Sequence, residues 1–311
     1  MTVKDPVLSQ VTRLCLGGNV FGWTMDEAES FAVLDAYTAG GGNFIDTADS
    51  YSMWADGHAG GESEVIIGQW LKARRNRDQV IVATKFGQLL GVRADSVRAA
   101  AEDSLRRLRT DYIDLYYAHI DDAEVPLEET LGVLGELVAE GKARSVGASG
   151  YSAGRLAEAV AISDRDGFPR YAALQPLYNL MERGEYEGDR QDLCVREHIA
   201  CLPFFSLARG FLTGKYRPGV EAETKRGGFA WTGEWDDRSL RVLAALDEVA
   251  GAHGTTVAAV SLAWLRAQPG VLAPIASART PGQLSELLPA LQLELAADEV
   301  RRLTEASEPT A

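Results

Sequence analysis

The chain has 311 residues, 46% of them apolar and 24% charged, a composition that excludes a mainly disordered polypeptide and allows a large buried core. Its 31 basic and 45 acidic side chains leave a formal net charge of −14. That surplus of acid speaks against bulk binding to nucleic acid or to an anionic membrane, both of which need excess Lys and Arg.

Along the chain, short apolar runs alternate with amphipathic stretches. Arg13–Leu16 reads as a strand, followed by a helix over Asp26–Ala39, whose acidic first turn suits the positive end of a helix dipole and which stops at Gly40-Gly41-Gly42. Strand Asn43–Asp46 leads to helix Gly61–Ala73, and strand Gln79–Thr84 to helix Asp95–Arg109, where Val97, Ala101, Leu105 and Leu108 form one apolar stripe. Strand Tyr112–Ala118 precedes helix Leu127–Glu140, and strand Ala143–Gly147 precedes helix Ser152–Ser163, with Ser152 placed to cap it. Strands Ala172–Gln175 and Leu202–Ser206 follow with no helix marked between them. The irregular Thr213–Arg238 stretch, with Pro218 and with six glycines counted from Gly210 through Gly233, reads as an inserted loop. Helices Ser239–Ala250 and Thr256–Arg266, strand Gly270–Pro274, helix Pro281–Leu291 and a last helix Ala297–Ala306 complete the chain. Runs such as Val80-Ile81-Val82-Ala83 are apolar on both faces, as in buried parallel strands.

This rhythm predicts an α/β fold: a (β/α)8, or TIM, barrel forming one domain over residues 1–311, with a long inserted loop after strand 7 and a C-terminal helix. An open doubly wound sheet would want Gly-x-Gly-x-x-Gly after its first strand, and Leu16–Gly22 spaces its glycines differently. Cys15, Cys194 and Cys201 are odd in number, widely spaced and flanked by apolar residues, so free buried thiols are expected. No run approaches the roughly 18 apolar residues of a membrane span, and Met1–Arg13 has no signal-peptide pattern, so a cytoplasmic protein is expected.

In such a barrel, chemistry sits at the C-terminal ends of the strands. Asp46-Thr47-Ala48-Asp49-Ser50-Tyr51 follows the second strand, Thr84-Lys85-Phe86-Gly87 the third and Ala118-His119-Ile120-Asp121-Asp122 the fourth. A lysine beside Tyr51 would favour the phenolate and lower a pKa near ~10, an aspartate would keep that lysine charged, and a histidine could orient a substrate oxygen. Together they suit proton delivery to a carbonyl while another group supplies hydride.

The segments Asn43–Tyr51, Ala83–Gly87 and Asp111–His119, continued by Pro274–Leu291, closely resemble the aldo-keto reductases. The resemblance implies a barrel that reduces aldehydes, ketones or keto-sugars with a nicotinamide cofactor, usually NADPH, and no metal. It implies Tyr51 as general acid, Lys85 and Asp46 as the groups that tune it, and His119 as the residue that orients the carbonyl. For the cofactor it implies Ser149 and Gln175 on the carboxamide and Tyr178 stacked on the nicotinamide. It also implies a pyrophosphate loop over Ser206–Lys215, with Ser206, Leu207, Arg209, Gly210, Leu212 and Lys215, and an adenosine site of Ser277, Arg279, Gln283 and Glu286. The chain departs from the family pattern at Gly150, where asparagine is common, and at Leu287, where an asparagine often contacts the adenine.

Trp23, Met53, Trp54, Phe86, Phe229, Trp231 and Trp235 are candidate substrate walls. Asp121 and Asp122 predict an acidic mouth that disfavours anionic substrates. The expected partner is a small-molecule carbonyl compound, with no nucleic acid and no membrane, on a monomer or homo-oligomer. The alternative is a barrel that binds the cofactor for redox sensing or partner binding with little turnover. His58, His198 and His253 lack metal-ligand spacing.

Overall fold

The structure is a computed structural model that describes residues 4–220, 230, 231, 233 and 235–309. Eight parallel strands are laid down in chain order: β1 (Cys15–Gly17), β2 (Phe44–Asp46), β3 (Ile81–Phe86), β4 (Ile113–Ala118), β5 (Ala143–Ser149), β6 (Ala173–Gln175), β7 (Ala200–Cys201) and β8 (Ile275–Ala276). Each pairs with its predecessor from β1 to β7, and β8 pairs with β1. The ring is closed between β7 and β8 by hydrogen bonds from the Leu272 N–H to the Cys201 carbonyl at 2.9 Å and from the Ile275 N–H to the Pro203 carbonyl at 2.9 Å. The fold is a (β/α)8 barrel.

The outer layer is formed by α1 (Glu27–Ala39), α2 (Glu62–Arg74), α3 (Ala94–Leu108), α4 (Leu127–Ala139), α5 (Ala153–Asp166), α6 (Asp189–Glu197), α7 (Asp237–His253), α8 (Val257–Arg266) and α9 (Pro281–Leu287), with α10 (Ala297–Ala306) packed on α7. Local chemistry sets several starts. The Asp26 carboxylate accepts the Glu29 N–H at 2.8 Å while the Glu29 side chain accepts the Asp26 N–H at 3.0 Å, a reciprocal cap on α1. Ser152 and Thr256 cap α5 and α8, each accepting a backbone N–H at 3.1 Å.

Four sequence expectations are corrected. Strand seven is Ala200–Cys201 rather than Leu202–Ser206, and strand eight is Ile275–Ala276 rather than Gly270–Pro274. Pro203 and Pro274 lie inside the predicted runs and cannot donate to a ladder. Helix α6 was not marked; it has nine residues and buries only Leu193 and Cys194, too small a stripe to read as periodicity. The predicted helix Pro281–Leu291 is α only to Leu287 and continues as a 3₁₀ turn over Leu288–Leu291, where Pro289 interrupts the backbone ladder. All three cysteines are free and buried. Among the described residues, no helix is long and apolar enough to cross a membrane.

Strand alternation divides the core. Phe44, Ala83, Leu115, Tyr117 and Ala173 point into the barrel with Cys15, Ile81 and Ala200. Val7 and Leu8, the latter in a 3₁₀ turn over Leu8–Gln10, extend that interior cluster. The opposite strand faces pack under the helices. At one point the helical layer is unusually close: a Cβ on Gly68 of α2 would lie 2.2 Å from the Arg107 carbonyl oxygen at the end of α3. Gly68→Ala therefore forces α2 away from α3, and urea unfolding is expected to show a loss of about 2 kcal/mol or more.

Candidate active site

Period-two alternation carries the barrel's inward face to its mouth. Asp46 lies two residues beyond Phe44, Lys85 two beyond Ala83, His119 two beyond Tyr117 and Gln175 two beyond Ala173. The last interior layer is thus polar where the layers beneath are apolar. The loop after β2 turns Tyr51 back over this layer; the Tyr51 N–H donates to the Ala48 carbonyl at 3.3 Å, and the Ser52 hydroxyl is anchored on the Phe21 carbonyl at 2.9 Å.

Lys85 is the centre of the cluster. It is 0% exposed, and its ammonium donates to the Asp46 carboxylate at 2.7 Å, the Thr47 carbonyl at 2.7 Å and the Tyr51 hydroxyl at 3.0 Å, which uses all three of its donors. The other Asp46 oxygen accepts the Gln175 amide at 3.0 Å. Burial alone would push the Lys85 ammonium down, but Asp46 and Tyr51 more than reverse this and hold it charged. Burial pushes the Tyr51 phenol up to about 12, against the pull of Lys85 and with a further push from Asp46. The sequence expectation of a lowered phenol is therefore corrected: the ammonium acts as expected, and desolvation outweighs it. Burial, with Lys85 nearby, holds the His119 imidazole well below its usual range, so the ring is neutral. His119 meets the Tyr51 ring edge-on, with centroids 6.1 Å apart.

Asp46, Tyr51 and His119 open into a cavity of about 750 Å³ that runs from Trp23, Trp54 and Gln88 past Ser149, Gly150 and Gln175 to Arg279, Gln283 and Glu286. The backbone after β7 is contorted here. Phe205, Ala208 and Arg209 have φ of 52°, 45° and 54°, and Gly210 follows at 98°. Non-glycine residues in this region cost about 1–3 kcal/mol each, and such strain gathers where backbone N–H groups must converge on a ligand. Arg209 sits 3.7 Å from Glu182, and among the described residues Lys215 and Arg279 form no ion pair. Unneutralised cations and contorted backbone along one cavity fit an extended polyanion such as a dinucleotide phosphate.

Sequence comparison agrees with this geometry. The profile of the aldo/keto reductase family matches residues 13–308. The chain belongs to the aldo/keto reductase family. It is 32% identical to norsolorinic acid reductase stcV of Emericella nidulans, over 94% of this chain and 77% of that protein. It is 31% identical to protein tas of Escherichia coli, over 93% of this chain and 92% of the relative. It is also 31% identical to an aryl-alcohol dehydrogenase [NADP(+)] of Phanerodontia chrysosporium, over 91% and 77%.

Most cofactor residues implied by the family resemblance line the cavity: Ser149, Gln175, Ser206, Leu207, Arg209, Gly210, Lys215, Ser277, Arg279, Gln283 and Glu286. Two do not. Tyr178 is fully buried, its hydroxyl donates to Glu187 at 2.8 Å, and its ring packs on Tyr186 and Trp264. The rings that reach the cavity there are Phe204 and Phe205. Leu212 is also fully buried in the core, and its carbonyl accepts the Ser261 hydroxyl at 3.1 Å. Among the proposed substrate walls, Trp23 and Trp54 line the cavity edge-to-face with centroids 5.4 Å apart. Phe86 is instead buried against Tyr116, and Trp231 packs on Phe211, Tyr216 and Trp235. Phe229 lies outside the described residues.

The acidic mouth is also corrected. Asp121 is bound by the Arg155 guanidinium at 2.9 and 3.2 Å, Asp122 accepts the Glu124 N–H at 2.9 Å, and neither lines the cavity. Gly150 has a φ of 71°, a left-handed backbone that glycine and asparagine both tolerate, so its departure from the family pattern conserves the turn. Asn19 and Gln88 line the cavity without having been singled out; Asn19 accepts the Ser277 hydroxyl at 2.6 Å and so ties the first loop to the last.

Behind Lys85, Glu64 accepts the Thr84 hydroxyl at 2.5 Å and the Arg107 guanidinium at 2.6 Å. Asp49 is buried nearby, and neither of its carboxylate oxygens makes a well-formed hydrogen bond. Burial and the Glu64 charge push Asp49 up to about 7, opposed by Arg107, Lys85 and a weak pull from Ser50. The folded chain thus keeps a proton that the unfolded chain loses near its ordinary pKa, so this residue's contribution to stability declines as pH rises from about 4 to about 7. Asp49→Asn removes the effect. Its stability relative to wild type is expected to improve by roughly 2–3 kcal/mol between pH 5 and pH 8, read by urea unfolding at each pH.

Proposed function

We propose that this chain is an NADPH-dependent carbonyl reductase with Tyr51 as general acid. The observation that carries this reading is the buried Asp46–Lys85–Tyr51 chain, with neutral His119 beside it, at the wall of a cavity that Arg209, Lys215 and Arg279 also line. When bound, the nicotinamide supplies hydride to the carbonyl carbon.

The chain's own residues manage the oxygen. Tyr51 accepts a hydrogen bond from Lys85 and donates its own proton only across a long 3.3 Å contact to the Asp46 carboxylate, which a bound carbonyl oxygen replaces as the acceptor. One N–H of the neutral His119 ring and the Tyr51 O–H together hold the carbonyl oxygen between them. As the oxygen takes up negative charge, the Tyr51 proton moves to it, and the phenolate left behind is stabilised by the Lys85 ammonium. Asp46 keeps that ammonium charged and aimed, and Gln175 holds the opposite Asp46 oxygen. Water then returns the proton to Tyr51. A phenol held near 12 is fully protonated at neutral pH, the form that reduction needs and oxidation does not.

The cofactor is assigned to the remainder of the cavity. Ser149 and Gln175 face the carboxamide, the Phe205 ring takes the stacking place first given to Tyr178, and the backbone over Ser206–Gly210 with Arg209 and Lys215 receives the pyrophosphate. Arg279, whose backbone N–H is set by the Gln283 side chain at 2.9 Å, receives the ribose 2′-phosphate. The apolar pair Trp23 and Trp54 favours a neutral aromatic aldehyde or ketone over a keto-sugar, in keeping with the names of the norsolorinic acid reductase and aryl-alcohol dehydrogenase relatives.

With an activated aromatic aldehyde, Tyr51→Phe is expected to lower kcat by about 10²-fold or more with cofactor Kd unchanged, followed by cofactor absorbance and fluorescence. Comparable rates for the two proteins would remove Tyr51 from its role. Arg279→Ala should weaken NADPH binding roughly tenfold, about 1.4 kcal/mol, and NADH binding much less. In the reverse direction, alcohol oxidation should rise about tenfold per pH unit through the alkaline range, because it requires the phenolate, whereas reduction stays flat.

A further inference from the structure

Among the described residues, six large apolar side chains are strongly exposed, and three of them, Met53 at 45%, Leu89 at 37% and Leu90 at 51%, lie on two loops that contribute walls to the cavity. Met53 immediately precedes the cavity wall residue Trp54, and Leu89 and Leu90 immediately follow Gln88, which also lines the cavity. The two loops that carry them are tied together. The Ser50 hydroxyl meets the Gln88 amide oxygen at 2.8 Å, and a Cβ added to Gly60 would sit 3.1 Å from Leu89, so the end of the first loop is packed against the second. Exposed apolar side chains scattered singly need no explanation, but half of those among the described residues sit on two joined loops that both line one cavity.

We infer that this rim is an outer substrate subsite, and that the substrate is a neutral carbonyl compound with an apolar tail that leaves the Trp23–Trp54 pocket over Gln88 and lies on Met53, Leu89 and Leu90. The inference rests on the carbonyl-reductase reading above and names its substrate class. The occupant is the substrate's own tail because the apolar surface is continuous in sequence and in hydrogen bonding with the residues that line the pocket. Gln88 completes the exit. With its oxygen held by Ser50, its amide N–H groups remain to donate to an ether or hydroxyl oxygen where the tail joins the ring. The inner pocket thus reads the aromatic carbonyl, and the rim reads the length of what is attached to it.

The test uses 4-alkoxybenzaldehydes from methoxy to hexyloxy with the NADPH-loaded protein, measuring KM, and with NADP-loaded protein, measuring Kd by calorimetry. A fully buried methylene is worth about fourfold in affinity, so a tail lying on a surface is expected to give roughly twofold per methylene. The Met53→Ser, Leu89→Ser, Leu90→Ser triple variant is expected to flatten that slope in both KM and Kd. Leu90→Ser alone, at the most exposed of the three sites, should flatten it in part and serves if the triple variant folds poorly. Equal slopes in wild type and variants, or no slope in wild type, overturn the inference. A dimer in sedimentation that the triple variant dissociates, with the slope unchanged, assigns the rim to a second copy and also overturns it. Absence of turnover with every aldehyde would sink the reductase reading, while the calorimetric slope would still test the subsite.

Discussion

A lysine with no solvent exposure has to be satisfied by protein, and the mouth of this barrel is organised around that need. Moving an ammonium out of water costs of order several kcal/mol after relaxation, and the cost is met only if each of its donors finds an acceptor. Lys85 finds three: a carboxylate on the neighbouring strand, the carbonyl one residue beyond it, and a phenol brought back by the following loop. Removing any one would leave a buried charge short of a partner. The same arrangement couples the three groups electrically. Asp46 keeps Lys85 charged, Lys85 opposes the rise of the Tyr51 pKa that burial imposes, and the nearby positive charge helps keep His119 neutral. Stability and acid–base chemistry are therefore set by one set of contacts.

The cofactor side follows a different logic. There the charges are separate and only partly neutralised, and the backbone between Phe205 and Gly210 is held in conformations that most side chains avoid. Strain of this kind persists only where surrounding structure enforces it. The enforcement is visible: Phe211 and Leu212 are fully buried just beyond the contorted segment, and the Leu212 carbonyl is bonded to Ser261 of α8. The net charge of −14 and the basic groove are compatible because the field felt by a ligand is local. Arg155 neutralises Asp121 outside the cavity, while Lys215 and Arg279 line it without ion pairs among the described residues.

The strand and helix order was legible because burial on both faces gives parallel strands a continuous apolar signal, and capping residues such as Asp26, Ser152 and Thr256 mark helix starts. The misses share a cause. Strands β7 and β8 have two residues each and sit beside prolines, so the apolar runs next to them are core without being ladder. Helix α6 buries two side chains and presents almost no stripe. Tyr178 and Phe205 are both aromatic residues just past a strand, but Tyr178 turns outward to Tyr186 and Trp264 while Phe205 turns to the cavity. Nothing in local composition separates the two directions. Phe86 was misplaced for the same reason: next to an inward-facing Lys85, alternation sends it to the helix side, against Tyr116.

By itself the sequence determined the barrel, the strands that end in Asp46, Lys85 and His119, and the tyrosine one short loop away. Strand periodicity is a local property, and two residues past an interior position is again interior. Only the closed ring decided which side chains of the loops meet one another. Closure brings the first loop against the last through Asn19 and Ser277, ties the loop after β2 to the loop after β3 through Ser50 and Gln88, and excludes Trp231 from the cavity. It also decided the balance of forces on Tyr51. A neighbouring lysine can be read from the order of residues, but the depth of burial that outweighs it belongs to the folded whole.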